Sequence, residues 1–290
     1  KADGVRNVGL DDQFPIGSVT KAVVAAQVMQ MVEAGELDLD DPATDHLPPD
    51  LDFDTNGATI RHLLGMQSGI PDYWTEMKQI LSTDRQRVWT TAELLDRVPD
   101  HRLDAGHFVY SNTNYLLLEL VIKQVSGRPV VDVLRDGVLD IDGIGRLIYQ
   151  PDEKPTAPMA MPYGESTAAL KKGGGYLPSI AAATSGPTTG AMATDSRSLA
   201  KWWQAFCTGE IVSQASLNEM ATLQDGYGLG LYNPYGGVVG HTGEDIGYVA
   251  WAGCLPEDGS VIVVLNNRVV EDIGSMAGPL VFAVTSAGSD

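Results

Sequence analysis

The chain is 290 residues long, and 43% of its residues are hydrophobic and 20% charged. This composition supports a sizeable buried core and excludes a disordered polyelectrolyte. The formal net charge of −19 argues against nucleic acid and anionic membranes as main partners, because both bind basic surfaces. No apolar run approaches the roughly 18 to 20 residues of a membrane span, so none is predicted.

The N-terminal half alternates helical stripes with turn-rich segments. Residues 5–16 predict a strand that ends at Pro15, and residues 20–34 predict a helix that stops at Gly35. Residues 36–58 are rich in Asp and Pro and predict a surface loop. Further helices are predicted at residues 59–66, 91–98 and 114–126. Residues 150–193 are dominated by small and turn-forming residues and predict a long loop.

The C-terminal half begins with a predicted helix at residues 195–207 and then changes character. Short β-prone segments at 227–232, 238–240, 248–254 and 260–266 predict an antiparallel sheet, and residues 272–287 predict a closing helix. The expected fold class is α/β (α+β), an antiparallel sheet flanked by helices plus a helix-rich subdomain. We expect residues 1–17 and 222–290 to form the sheet part, residues 18–221 the helical part, and a site to lie between them.

A candidate nucleophile lies at Ser18, at the predicted junction of strand and helix. Lys21 follows one helical turn later on the same face, and a helix N-terminus favours developing negative charge. Such a lysine can accept the serine proton. The same Ser-x-x-Lys pattern recurs at Ser198 and Lys201, inside a predicted helix with no turn before it, and is interpreted as a solvated helix face.

Two more segments carry candidate site residues. In Tyr110-Ser111-Asn112, a phenol beside a lysine ammonium is expected to favour the phenolate, and an asparagine two residues later could bind a substrate amide. A loop tyrosine that only packs against the core is the alternative. In His241-Thr242-Gly243-Glu244, beside a predicted strand, the threonine could bind a carbonyl or carboxylate, and the backbone could approach a ligand closely at the glycine. The alternative is an edge-strand turn with a surface histidine.

In this order, the motifs S-x-x-K, Y-x-N and H-T-G resemble those of the serine β-lactamase and penicillin-binding protein superfamily. Because its middle motif begins with tyrosine, the chain most resembles the class C-like branch, which includes D-alanyl-D-alanine carboxypeptidases. Residues 14–21, 37–42, 60–71 and 241–247 also resemble this branch. The resemblance covers residues 5 to 285 and implies a β-lactamase/transpeptidase-like fold.

The resemblance also implies roles for individual residues. Ser18 would be acylated, and Asn112 would bind the substrate's side-chain amide. Lys21 and Tyr110 would share proton transfer, with the choice of base between them left open. The backbone N–H groups of Ser18 and Glu244 would form an oxyanion hole. His241, Thr242 and Gly243 would face the substrate's carboxylate or leaving side.

The implied activity is a serine acyl hydrolase of the D-alanyl-D-alanine carboxypeptidase type, acting on small molecules or D-amino-acid peptides. The alternatives are a class C-like β-lactamase, a promiscuous esterase, or a non-catalytic protein that binds penicillin or cell wall. The family pattern usually has lysine where this chain has His241. If the charged histidine aids binding, the KM for a carboxylate substrate should rise between about pH 5.5 and 7.5.

The resemblance implies no cofactor and no metal, and it implies possible binding of β-lactams. It places the protein outside the cytoplasm, either secreted, periplasmic or associated with the cell wall. The two cysteines, Cys207 and Cys254, could form one disulfide or remain two buried thiols, and they exclude a zinc site built on thiolates. The oligomeric state is left open.

Overall fold

The computed structural model describes residues 7–74, 77, 84–162, 180–235, 237–268 and 273–287. Within them, seven strands form two sheets: β1 (Phe14–Pro15), β2 (Ile148–Tyr149), β3 (Met192–Thr194), β4 (Tyr232–Tyr235), β5 (Val238–Asp245), β6 (Tyr248–Cys254) and β7 (Val261–Asn266). The α-helices of the same residues are α1 (Thr20–Glu33), α2 (Ile60–Leu64), α3 (Thr91–Leu95), α4 (Thr113–Ser126), α5 (Val130–Asp136), α6 (Ile180–Thr184), α7 (Pro187–Gly190), α8 (Ser196–Cys207), α9 (Gln214–Ala221) and α10 (Gly274–Ala287). In the same described residues, two 3₁₀ helices cover Gly17–Val19 and Ala43–His46.

The larger sheet has the strand order β4-β5-β6-β7, and each neighbouring pair is antiparallel. β6 is buried along its whole length, because successive side chains point to opposite faces and helices cover both. Trp251 packs in an apolar cluster with Ala277 and Val281 of α10. The next residue along, Ala252, belongs instead to the main core with Trp202 of α8. The smaller sheet, β1-β3-β2, is also antiparallel.

Helix α1 lies at the centre of the molecule. It packs against α4, α7 and β5, and most of its residues are buried. A helix that is apolar on nearly every side suits such a position, and Gly35 follows its end with a φ of 71°, the conformation that commonly stops a helix. This placement carries the first turn of α1, and with it Lys21, into the interior beside β5.

Several predicted elements differ from those of the structure. Of the strand predicted over residues 5–16, residues 5 and 6 lie outside the described residues. Within residues 7–16 the strand is reduced to β1, whose Phe14 and Pro15 pair with β3. The loop predicted over 150–193 contains α6, α7 and β3 in its described part, while residues 163–179 lie outside the described residues. The strand predicted at 227–232 is wrong, since β4 begins at Tyr232. Helix α5 has no counterpart in the sequence analysis.

A disulfide joins the end of α8 to the end of β6, through Cys207 and Cys254. Of the two arrangements left open by the sequence, the structure therefore has the bonded one, which ties a helix to the sheet it covers.

In the described part of the chain, no helix has the length and hydropathy needed to cross a membrane. The described residues also contain no cluster of His, Cys, Asp and Glu that could hold a metal ion. The division of the chain into subdomains at residues 17 and 222 stays a prediction.

Candidate active site

The 3₁₀ turn before α1 positions Ser18, and the first turn of α1 positions Lys21. The Lys21 side chain is fully buried, and its Nζ lies 2.9 Å from Ser18 Oγ and 2.7 Å from the carbonyl oxygen of Thr189. The three-residue spacing therefore brings the two side chains together, as the sequence predicts. A neutral amine at this position can donate to the Thr189 carbonyl and accept a hydrogen bond from the Ser18 hydroxyl.

The environment of Lys21 favours that neutral form. Burial lowers the pKa of Lys21 from 10.5 to about 7, and the negative charge of Asp72 offsets part of the effect. Removing an ammonium from water disfavours its charged state, which is the physical cause of the shift. Near neutral pH, a large fraction of the molecules then carries an amine that can accept a proton from Ser18.

Tyr110 approaches Ser18 from a second direction. Its phenol interacts with the Ser18 side chain, and Lys21 Nζ lies 5.2 Å from the centroid of its ring. Burial raises the pKa of Tyr110 well above its usual value, and the interaction with Ser18 offsets only part of this. The expectation that a neighbouring ammonium favours the phenolate is therefore wrong, because desolvation of the phenol raises its pKa. Tyr110 is a neutral hydrogen-bonding group here.

Asn112 is held by a carboxylate that the sequence analysis did not single out. Its side-chain Nδ2 donates to Asp72 Oδ2 at 2.9 Å, and its backbone N–H donates to Asp72 Oδ1 at 3.2 Å. Burial raises the pKa of Asp72. Asp72 follows Pro71 directly in the turn after α2, and a polar residue after such a turn was the only signal that could have drawn attention to it.

His241 lies on β5 but does not present a charge to a ligand. It is only 1% exposed, and its ring bridges Tyr227 Oη, 3.1 Å from Nε2, and the Thr242 carbonyl oxygen, 2.5 Å from Nδ1. Because a carbonyl only accepts, Nδ1 carries the proton and Nε2 accepts from the Tyr227 hydroxyl. Burial lowers the pKa of His241 to about 3, and the charge of Lys21 acts in the same direction. The expected role of a charged His241 between pH 5.5 and 7.5 is therefore wrong, since the ring is neutral throughout this range.

The rest of β5 packs edge-on against the turn that carries Ser18. A Cβ on Gly243 would overlap the carbonyl oxygen of Ile16 and would lie 3.3 Å from Ser18 N. A Cβ on Gly17 would lie 2.8 Å from Glu244 N. Only residues without side chains allow this approach, and it brings the backbone amides of Ser18 and Glu244 to the same end of the site. Thr242 is partly exposed, and strand alternation points its side chain away from the face of His241.

An open cleft lies beside Ser18. Asn112 and Trp74 border one side, and Glu244 and Asp245 at the end of β5 border another. The remaining lining residues are Gly17, Ala182, Gly186, Thr189 and Gly190. Four of these five come from α6, α7 and the residues between them, in the segment predicted to be a loop, so the sequence analysis missed this side of the cleft. The second Ser-x-x-Lys copy lies elsewhere, with Ser198 buried and Lys201 exposed on α8.

The family model described as Beta-lactamase matches residues 1–284 of the chain. The chain belongs to the β-lactamase family. Among curated relatives, a D-aminopeptidase from Brucella anthropi is 31% identical over 141 residues, which are 47% of this chain and 26% of that protein. A putative penicillin-binding protein, PbpX from Bacillus subtilis, is 27% identical over 79% of this chain and 55% of its own length. The chain thus spans about a quarter to a half of the length of these relatives.

Solved structures extend the similarity over nearly the whole fold. D-amino acid amidase from Ochrobactrum anthropi SV3, complexed with L-phenylalanine amide, superimposes with a TM-score of 0.80 over 99% of this chain and 87% of its own, at 25% identity. A D-stereospecific amidohydrolase from Streptomyces sp. gives a TM-score of 0.76 at 25% identity, over 89% of this chain and 83% of its own. The expected β-lactamase/transpeptidase-like fold is confirmed.

Proposed function

We propose that this protein is a serine acyl hydrolase that forms an acyl-enzyme at Ser18 and cleaves amide bonds of D-amino-acid amides or short D-amino-acid peptides. The observation that carries the proposal is the environment of Ser18 Oγ, which lies 2.9 Å from Nζ of the buried Lys21 and interacts with the phenol of Tyr110. A serine becomes nucleophilic when a base receives its proton. The similarity to a D-aminopeptidase and to D-amino acid amidases supports the choice of substrate.

In the proposed acylation, the neutral Lys21 amine takes the proton of Ser18 as Oγ attacks the substrate carbonyl carbon. The negative charge that develops on the carbonyl oxygen is stabilised by the N–H groups of Ser18 and Glu244. When the tetrahedral intermediate collapses, the carbon–nitrogen bond breaks, and the leaving amine receives a proton from the Lys21 ammonium, directly or through the Tyr110 hydroxyl. The product of this step is an ester between the substrate acyl group and Ser18.

In the proposed deacylation, a water molecule replaces the departed amine and attacks the ester carbonyl. Lys21, neutral again, accepts the proton of the water, and the broken ester bond returns Oγ to Ser18 with a proton from the same lysine. One amide bond and one water molecule are consumed, and one carboxylic acid and one amine are released. Asn112, held by Asp72, orients the substrate's amide side chain or backbone beside the reacting carbonyl.

We favour this activity over the D-alanyl-D-alanine carboxypeptidase that the resemblance first suggested. A carboxypeptidase binds a substrate carboxylate, and a fixed cation is the usual partner for such a group. Among the described residues at this site, His241 is neutral and Lys21 is engaged with Ser18 and Thr189. The carboxylates of Glu244 and Asp245 border the cleft instead, and they repel an anionic substrate.

A substrate panel tests the proposal. D-alanine p-nitroanilide, its L enantiomer, nitrocefin and an acyl-D-alanyl-D-alanine peptide are compared with the wild-type protein and the Ser18→Ala variant. We expect the D-anilide to be hydrolysed at least about tenfold faster than the L-anilide, and the Ser18→Ala variant to be inactive. Faster turnover of the acyl-D-alanyl-D-alanine peptide or of nitrocefin would contradict the amidase assignment. Turnover that survives in the Ser18→Ala variant would contradict the acyl-enzyme.

We also propose that the protein functions outside the cytoplasm. The disulfide between Cys207 and Cys254 supports this location, because disulfides persist in oxidising compartments and are rare in reducing ones. Comparing the redox state of the two cysteines in the protein from its native cells with that of a cytoplasmic marker protein tests the proposal. Reduced cysteines in the native protein would contradict it.

A further inference from the structure

A carboxylate ends the strand that borders the cleft. Asp245 is the last residue of β5 and pairs with Tyr248 of β6, so that only Ile246 and Gly247 form the connecting turn. Gly247 has a φ of 90°, and the backbone N–H of Ile246 donates to Asp245 Oδ1 at 2.6 Å. These contacts hold the carboxylate in one place at the tip of a tight hairpin, where it is partly buried and lines the same cleft as Ser18.

The position of Asp245 on the strand places it beside the reacting serine. Side chains two residues apart lie on the same face of a strand, about 7 Å from each other, so Asp245 shares the face of Gly243. That face packs against the backbone that leads into Ser18, since a Cβ on Gly243 would lie 3.3 Å from Ser18 N. The Asp245 carboxylate therefore lies in the same cleft as Ser18, on the side formed by β5.

The chemistry of an amino acid amide places its α-amino group in the same region. The amino nitrogen is separated from the carbonyl carbon by two bonds of about 1.5 Å each. The carbonyl carbon itself must approach Ser18 Oγ to about 3 to 3.5 Å for attack. The α-amino group of a bound substrate thus lies within a few ångströms of Ser18. The charges of the groups that line this cleft therefore determine whether the protonated, cationic amine is bound.

We infer that the Asp245 carboxylate binds the free α-ammonium group of the substrate, so that the cleft selects amino acid amides with a free amine over their N-acylated forms. The inference rests on the proposed function, in which Ser18 attacks the carbonyl carbon next to that amine. Asp245 is a specificity residue in this account and takes no part in proton transfer to or from Ser18.

The charges around the cleft support this assignment. Within the described residues, no Lys or Arg forms an ion pair with Asp245. Burial raises the pKa of Asp245 to about 7; the hydrogen bond from Ile246 opposes this effect, and the charge of Glu244 adds to it. An arriving ammonium supplies the missing opposite charge and favours the ionised carboxylate. Asp72, a further carboxylate near the site, is already bound to Asn112.

Acylation of the substrate amine removes both parts of this recognition. An N-acetyl group abolishes the positive charge and leaves one weaker N–H donor in place of three charged ones. The amide that results also brings a carbonyl oxygen towards two carboxylates. The predicted discrimination therefore has an attractive component towards the ammonium and a repulsive component towards the acylated amine.

Binding to the Ser18→Ala variant tests the inference without turnover. Titration calorimetry with D-alanine amide and with N-acetyl-D-alanine amide gives two dissociation constants, and we expect the free amine to bind at least about tenfold more tightly. Asp245→Asn added to this variant keeps an oxygen that can accept from Ile246 N–H and removes the charge. We expect it to reduce the ratio of the two dissociation constants to within about threefold, mainly by weakening the free amine. Asp140→Asn, exposed and outside the cleft, is the control with the same change in net charge.

The same pair of compounds as p-nitroanilides, assayed with the active protein, separates failure of this inference from failure of the proposed function. If neither anilide is hydrolysed but the free amine still binds preferentially through Asp245, the inference stands and the proposed reaction falls. Equal binding of the two amides to the Ser18→Ala variant would overturn the inference. A binding preference that Asp245→Asn leaves unchanged, or that Asp140→Asn reduces equally, would also overturn it.

Discussion

The pKa of Lys21 sets the pH dependence of acylation at Ser18. If the neutral amine is the base, the rate follows the fraction of Lys21 that is unprotonated. With a pKa of about 7, this fraction rises from about one tenth at pH 6 to about nine tenths at pH 8. The acylation rate should therefore increase about tenfold between pH 6 and pH 8 and level off above pH 8.

The second-order rate of labelling by a fluorophosphonate measures this step directly, because the probe reacts with the serine and has no group that titrates in this range. Asp245 also has a pKa of about 7, so the profile is measured in the Asp245→Asn variant as well. We expect the same inflection in both proteins. In Lys21→Arg the side chain cannot lose its proton at these pH values, and labelling should fall by about 100-fold or more at every pH.

Three outcomes would contradict Lys21 as a base with a pKa of about 7. A rate that continues to increase tenfold per pH unit up to pH 9 would mean that Lys21 keeps the pKa of an exposed lysine. A rate that is flat from pH 5.5 to 9 in the wild-type protein would mean that Lys21 is not the base. Loss of the inflection in Asp245→Asn alone would assign it to the carboxylate. Thermal unfolding of Lys21→Arg shows whether the larger side chain still allows folding, and Lys21→Met serves as a second variant without a basic group.

Four further predictions concern other parts of the site and the fold. Tyr110→Phe should reduce turnover by about 100-fold or more at an unchanged melting temperature, and a loss below threefold would remove Tyr110 from proton transfer. Titration of His241 should not change the KM for a carboxylate substrate between pH 5.5 and 7.5, so the wild type and His241→Gln should give parallel profiles of KM against pH. An inflection in the wild-type profile alone would contradict the buried neutral ring. Gly243→Ala should slow fluorophosphonate labelling, because its Cβ would overlap the backbone of the neighbouring 3₁₀ turn, and unchanged labelling would contradict the close approach of strand and turn. Reducing the bond between Cys207 and Cys254 should add two hydrogens to the intact mass and lower the free energy of unfolding by about 2 to 4 kcal/mol; a protein with two free thiols as isolated would contradict the disulfide.

The parts of the site that depend on local spacing could be predicted from the sequence. Ser18 and Lys21 are one helical turn apart, so their contact follows from helix geometry once the helix start is placed. The sequence predicts only residues 238–240 of β5, whereas the strand continues through the histidine motif to Asp245. The apolar and aromatic residues of β6 also predicted a strand correctly, because a β-branched and aromatic run bounded by turns is typical of one.

The parts that depend on contacts between distant segments could not be predicted. Asp72 reaches Asn112 across 40 residues, and no local pattern encodes which carboxylate an asparagine will meet. The signs of the pKa shifts at Tyr110 and His241 depend on burial, which a motif does not specify. The sequence around position 241 allows a strand residue to face either the solvent or the core. In the structure, the His241 side chain faces the core.

The proposed acyl transfer depends most directly on Ser18 being the reacting group. The protein is treated with a fluorophosphonate near pH 8, its intact mass is measured, and the modified residue is located by peptide sequencing in the mass spectrometer. We expect a single adduct on the peptide that contains Ser18, and none on the folded Ser18→Ala variant. An unmodified wild-type protein, or an adduct on another serine such as Ser198, would contradict it.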